Sequence, residues 1–245
     1  MIYHQLKESS DAGQKKFAVL IDPDKYDENK LMDLVEIANR SEVHYFFVGG
    51  SLMTSNRFEQ AIKILKATSD TPVIIFPGSN VQINKEADAI LLLSLISGRN
   101  PEYLIGQHVV AAPYLKESGL DILPTGYMLI EGSNNTTANY MSNSLPIPSN
   151  KNDIATCTAM AGEMLGMKLI YMDGGSGAGQ TISASMIQSV KSQINIPLIV
   201  GGGITNSDEA NEVWAAGADL IVVGNAIEHD MSIITSISDQ LKTTS

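Results

Sequence analysis

One cysteine, one tryptophan and sixteen basic residues are what this 245-residue chain has least of. A lone Cys157 excludes an internal disulfide and any cysteine-based zinc site. It falls in the apolar helical stretch IATCTAMAGEML, where a small buried hydrophobe is the expected role. The 27 acidic residues outweigh the basic ones and leave a net charge of -11, and no basic run supplies contacts for a nucleic-acid backbone. Four histidines (His4, His44, His108, His229) show no metal-ligand spacing and are expected to be structural or superficial. No apolar run reaches membrane-spanning length, and MIYHQLKESSDAGQKK lacks the apolar core of a signal peptide, so a cytoplasmic location is expected.

What the chain does have is eight short apolar runs, each ending in Gly, Ser or Asp or in polar loop residues: FAVLID (17–22), YFFVGG (45–50), PVIIFPG (72–78), AILLLSLI (89–96), ILPTGYMLIE (122–131), KLIYMDGG (168–175), PLIVGGG (197–203) and DLIVVGN (219–225). They are continuously apolar rather than alternating, which is how parallel strands covered on both faces read. The segments between them carry helical stripes, such as Leu31, Leu34, Val35 and Ala38, or Phe58, Ile62 and Leu65. Asn100-Pro101 and Thr205-Asn206-Ser207-Asp208 are helix starts, and one final helix should carry Ile227, Met231, Ile234, Ile237 and Leu241 on one side. Eight strands with crossovers predict a single α/β domain over residues 1–245, a (β/α)8 TIM barrel.

Two crossovers break the pattern. PGSNVQINKEAD (77–88) is too short for a helix and two loops, so the third helix should be short or missing and the barrel flank open there. GSNNTTANYMSNSLPIPSN (132–150) is a long polar loop, expected to have no helix of its own and to act as a lid.

Chemistry in such barrels sits at the C-terminal strand ends. The seventh and eighth end in Gly201-Gly202-Gly203 and Gly224-Asn225 just before helices, the arrangement that grips a phosphate monoester with backbone N–H groups. The sixth carries Tyr171 and Asp173, two apart and so on one face, ahead of the glycine-rich Gly174–Gly179 turn. Asp173 is the candidate general base, with Tyr171 orienting. Asp22 and Ser51 end neighbouring strands, and their oxygens suit one small hard cation such as Mg2+. Asp24 and Lys25 read as rim residues.

Taken together, LIDPDK (20–25), VGGS (48–51), SGRNPEYLIGQ (97–107), LPTGYMLIEG (123–132), LGMKLIYMDGGSGAG (165–179), IVGGGI (199–204) and VVGNA (222–226) resemble the geranylgeranylglyceryl phosphate synthases, relatives of the bacterial heptaprenylglyceryl phosphate synthases. RNPEYLIGQ and PTGYMLIEG are similar to the archaeal-like group II. The resemblance implies a prenyltransferase that joins a long prenyl diphosphate, expected to be geranylgeranyl diphosphate, to the 3-hydroxyl of sn-glycerol 1-phosphate. It implies Mg2+ at Asp22 and Ser51. It places the glycerol phosphate on Tyr171, Met172, Asp173, Gly174, Gly175, Ser176 and Gly177, on Gly202 and Gly203, and on Gly224 and Asn225. The family usually carries glutamate where this chain has Asp173. Tyr103 falls where an aromatic anchors subunits, which implies a homo-oligomer, dimer or hexamer. Peripheral membrane contact would give access to a lipid substrate. Two other readings of the phosphate grip are a sugar-phosphate isomerase or lyase and a non-catalytic sensor of a phosphometabolite. The isomerase would want a lysine or paired acids at the strand ends.

Overall fold

In the computed structural model, residues 1–132 and 136–244 are described, the side chains to residue 242. The eight runs form eight parallel strands in sequential order: β1 Lys16–Ile21, β2 Tyr45–Val48, β3 Val73–Ile75, β4 Ala89–Leu95, β5 Asp121–Leu129, β6 Leu169–Asp173, β7 Leu198–Gly201 and β8 Leu220–Val223. β8 pairs back onto β1, closing the barrel. The TIM-barrel expectation therefore holds.

Both faces of each strand are covered, which explains the continuous apolar runs. Ala18, Phe47, Ile74, Leu91, Leu123, Tyr171, Ile199 and Leu220 fill the interior. Their neighbours Val19, Phe46, Ile75, Ile90, Met172, Leu198 and Ile221 pack outward in a second layer with the helices. Helix α1 (Ile2–Asp11) puts Ile2 and Leu6 into the inner cluster, and the Tyr3 N–H donates to Asp121 Oδ2 at the start of β5 (3.1 Å). It thus closes the N-terminal end of the barrel and leaves the other end open.

The outer ring contains α2 (Glu28–Arg40), α3 (Phe58–Thr68), α4 (Gln107–Ser118), α5 (Thr137–Ser142), α6 (Asn152–Met164), α7 (Ala184–Lys191), α8 (Ser207–Ala215), α9 (Asn225–His229) and α10 (Ser232–Thr244). The predicted stripes are buried: Leu31, Leu34, Val35 and Ala38 on α2, and Phe58, Ile62 and Leu65 on α3. No helix joins β3 to β4, as the short third crossover implied. None of the helices is long and apolar enough to cross a membrane.

Three expectations need correction. The 132–150 loop does carry a helix of its own, α5: Thr136 caps it by accepting from the Asn139 N–H (3.3 Å), and Asn143 ends it in the left-handed region at φ 48°. Residues 133–135 of the proposed lid lie outside the described ones. The last helix is two helices, because Asp230 turns extended and its carboxylate caps α10 at the Ser232 N–H (2.9 Å). Cys157 is exposed. The buried face of α6 is Ala155, Ala159 and Gly162, and a residue two past Ala155 points to the opposite side.

Candidate active site

The open end of the barrel leads into one cavity of about 790 Å³. Asp173, the last residue of β6, is buried at its floor. Its Oδ1 accepts from the Gly175 N–H (2.7 Å), and its Oδ2 accepts a short hydrogen bond from the Tyr127 hydroxyl of β5. Burial raises the Asp173 pKa, while the Tyr127 and Gly175 donors oppose that rise. Burial and then the Asp173 charge raise Tyr127, and the same two causes raise Tyr171. A raised carboxyl that stays hydrogen bonded in its charged form is suited to receive a proton.

Tyr171 lies inside the barrel as expected, but it does not bond Asp173. It stacks on Phe76 (centroids 5.2 Å, 20°) and meets Tyr127 edge-on (5.5 Å, 86°). Tyr127 was the residue missed. Its signal was the inward alternation of GYMLIE, but its partner becomes visible only from the β5–β6 register, which sets Tyr127 opposite Tyr171 and Leu129 opposite Asp173.

The glycine loops converge on the opposite wall. The Gly174 N–H donates to the Gly201 carbonyl (3.0 Å), and the Ser176 hydroxyl to Asn225 Oδ1 (2.8 Å), so the ends of β6, β7 and β8 are tied together. Gly202 and Gly203 sit at φ 87° and 75°, where L side chains are strained. A Cβ on Gly203 would fall on the Gln180 carbonyl, and one on Gly202 would lie 2.8 Å from the Gly175 nitrogen. Among the described residues, the backbone N–H groups of Ser176, Gly177 and Gly203 make no hydrogen bond, and all three residues line the cavity with Gly175, Gly202, Gly224 and Asn225. Two of the predicted contacts are not placed there. Met172 points outward among the helices, because strand neighbours alternate, and Gly174 does not line the cavity.

Asp22 and Ser51 both line a third side of the cavity. A Cβ on Gly50 would lie 3.5 Å from both Asp22 oxygens, so the carboxylate faces the β2 loop that carries Ser51. Asp24 holds the loops together by accepting from the Thr54 N–H (2.6 Å), the Thr54 hydroxyl (2.9 Å) and the Ser55 hydroxyl. It braces the two loops from the rim, and those donors lower its pKa. Burial raises Asp22 against the Asp24 N–H, which donates to it (3.0 Å). Gln82, absent from the sequence reading, accepts from the Gly78 N–H (3.0 Å) and donates to the Gly50 carbonyl (3.2 Å), fixing the β2 and β3 loops. Among the described residues no cation lies within ion-pair distance of Asp22, and no group of three or more His, Cys, Asp or Glu could hold a metal alone. One desolvated carboxylate beside a hydroxyl fits a hard cation that completes its shell with water and substrate oxygens.

The cavity continues out of the barrel where the third helix is lacking. Ile83, Ile90, Leu92, Ala111 and Leu115 line it there, with His108, whose Nε2 lies 3.3 Å from the Ser94 hydroxyl. α5 roofs the mouth with Thr137, Ala138 and Met141. It is held to the stretch before α4 by Asn100 Nδ2 on the Ser142 carbonyl (2.8 Å) and by the Tyr103 hydroxyl on the Met141 carbonyl (3.1 Å). Tyr103 lines the cavity and its hydroxyl holds the roof.

The PcrB family profile matches residues 10–243. A geranylgeranylglyceryl phosphate synthase of Chitinophaga pinensis is 52% identical over 238 residues, covering 97% of this chain and 94% of that one. The synthase of Pyrococcus abyssi is 38% identical, covering 93% and 90%. The crystal structure of (S)-3-O-geranylgeranylglyceryl phosphate synthase from Thermoplasma acidophilum in complex with sn-glycerol-1-phosphate superposes with a TM-score of 0.93 at 30% identity, over 99% of both chains. Profile, sequence and fold agree, and the chain belongs to the PcrB family.

Proposed function

We propose that this chain is a prenyltransferase that joins geranylgeranyl diphosphate to the 3-hydroxyl of sn-glycerol 1-phosphate, forming an ether bond and releasing diphosphate. The observation that carries the reading is the single cavity. It joins free backbone donors, a buried carboxylate, a desolvated Asp22 beside Ser51, and an apolar groove on the barrel flank. A phosphate grip, a base, a diphosphate pole and a tail channel are what this reaction requires.

The N–H groups of Ser176, Gly177 and Gly203 hold the phosphate of glycerol phosphate, with Gly202, Gly224 and Asn225 allowing close approach. The fixed phosphate turns the 3-hydroxyl toward Asp173. As the hydroxyl oxygen bonds to the allylic carbon, the carbon–oxygen bond to diphosphate breaks and its electron pair leaves with the diphosphate. The hydroxyl proton passes to Asp173, and Tyr127 keeps that carboxylate in place. Asp22 and Ser51 would hold Mg2+, which when bound would supply positive charge against the departing diphosphate. The tail lies along Ile90, Leu92, Ala111 and Leu115, where each buried methylene contributes about 0.8 kcal/mol.

α4 and the turn before it leave Ile105, Val109, Val110 and Tyr114 exposed, an apolar surface that supports a homo-oligomer, dimer or hexamer. A cytoplasmic protein that touches the membrane peripherally to collect its donor fits the same reading. The test is incubation with magnesium, labelled sn-glycerol 1-phosphate and prenyl diphosphates of several lengths. Organic-soluble label is expected; its absence at every length overturns the reading.

A further inference from the structure

The cavity has a second carboxylate on its cation side for which the residues already described give no use. Glu228 belongs to α9, which begins at Asn225 of the phosphate grip, and it lines the cavity together with Asp22, Lys25 and Lys30. Its carboxylate is half-buried and has no hydrogen-bond or ion-pair partner among the described residues. Lys30 makes no ion pair with that carboxylate; its ammonium donates to the Glu228 backbone carbonyl (3.1 Å). Burial and then the Asp22 charge raise the Glu228 pKa, against the charges of Lys25, His229 and Lys30.

Two desolvated carboxylates, Asp22 and Glu228, therefore line the side of the cavity where an anionic diphosphate is to bind. Carboxylates facing a diphosphate repel it unless a cation lies between them, and Lys25 is the one lysine there with its ammonium uncommitted. We propose that Glu228 binds the same divalent cation as Asp22. The cation site then spans the ends of β1, β2 and β8 rather than β1 and β2 alone, and the phosphate grip and the metal pole share α9. This rests on the divalent-cation reading of Asp22 and Ser51.

The test is titration of the full-length protein with Mn2+, a hard-oxygen cation like Mg2+, followed by electron paramagnetic resonance without substrates. Calorimetry with sn-glycerol 1-phosphate runs alongside on the same variants. Asp22→Asn should abolish binding. Glu228→Gln should weaken it by about tenfold. Glu228→Asp keeps the charge but shortens the arm, so a ligand loses affinity there too, whereas a mere field effect would keep it. Glycerol phosphate affinity should not change. Wild-type Mn2+ affinity in Glu228→Gln or Glu228→Asp, with Asp22→Asn inactive in binding, overturns this proposal alone. Wild-type affinity in Asp22→Asn overturns the metal reading beneath it. Loss of glycerol phosphate binding in Glu228→Gln would make it a residue of the phosphate grip and also overturn the proposal.

Discussion

The Tyr127 hydroxyl reaches from β5 to Asp173 Oδ2 on β6, both side chains buried in the barrel mouth. The bond stabilises the charged carboxylate against its surroundings. Tyr127→Phe removes one of the two donors that oppose the burial shift, so the Asp173 pKa should rise further. The acid limb of the pH–rate profile should move to higher pH while glycerol phosphate KM stays the same. An unmoved limb would show that the pair is not coupled in turnover.

Asp173→Asn should reduce turnover at least a hundredfold, since it removes the base. Its effect on stability has the opposite sign. A carboxyl whose folded pKa lies above its unfolded one contributes stability that is fully present below the unfolded pKa and is lost as pH rises through the folded pKa. Above the folded pKa the wild type has lost that contribution, and the uncharged amide avoids the cost of a buried charge. Thermal unfolding across a pH series should show the Tm of the variant gaining on that of the wild type as pH rises through the folded pKa, with the difference shrinking as pH falls.

Gly203→Ala places a Cβ on the Gln180 carbonyl in a left-handed backbone, so the grip must open or strain. The expected cost is about 1–3 kcal/mol in urea unfolding, with a large loss of glycerol phosphate affinity by calorimetry. Retained affinity would place the phosphate elsewhere.

Gln82→Ala leaves the Gly50 carbonyl and the Gly78 N–H without their side-chain partner. Two lost hydrogen bonds at about 1 kcal/mol each predict a clear drop in stability. Donor diphosphate KM should rise, and glycerol phosphate binding should not change.

Ala111→Phe fills the groove where it leaves the barrel. The product profile across donor lengths should shift toward shorter prenyl diphosphates, with glycerol phosphate affinity intact. An unshifted profile would mean that the tail runs elsewhere.

The barrel could be read from the sequence because each strand is buried on both faces, so the apolar runs mark the strands without any pairing information. The short stretch before Ala89 revealed the missing helix by length alone. The glycines after β6, β7 and β8 and the pair Asp22 and Ser51 were legible because position in the strand order says what a barrel does there. Other features depend on what meets across the fold. Tyr127 finds Asp173 only through strand register, and Glu228 comes to the side of the cavity that holds Asp22 only after β8 has returned to β1. α5 was hidden because its six residues are too few to show a stripe, and its caps at Thr136 and Asn143 were the overlooked signal. Cys157 was misplaced because an apolar stretch does not say which face of its helix is inward.

The bare flank between β3 and β4 also bears on mechanical integrity. Only two residue pairs join these strands, against seven between β4 and β5. The barrel is closed most thinly at the place where a helix would otherwise brace it. A hydrophobic tail lying along Ile90 and Leu92 would cover that seam from outside, so the lipid donor would serve as a removable splint. Amide exchange should be fastest at this joint in the empty protein and slow there, more than elsewhere, when donor is bound.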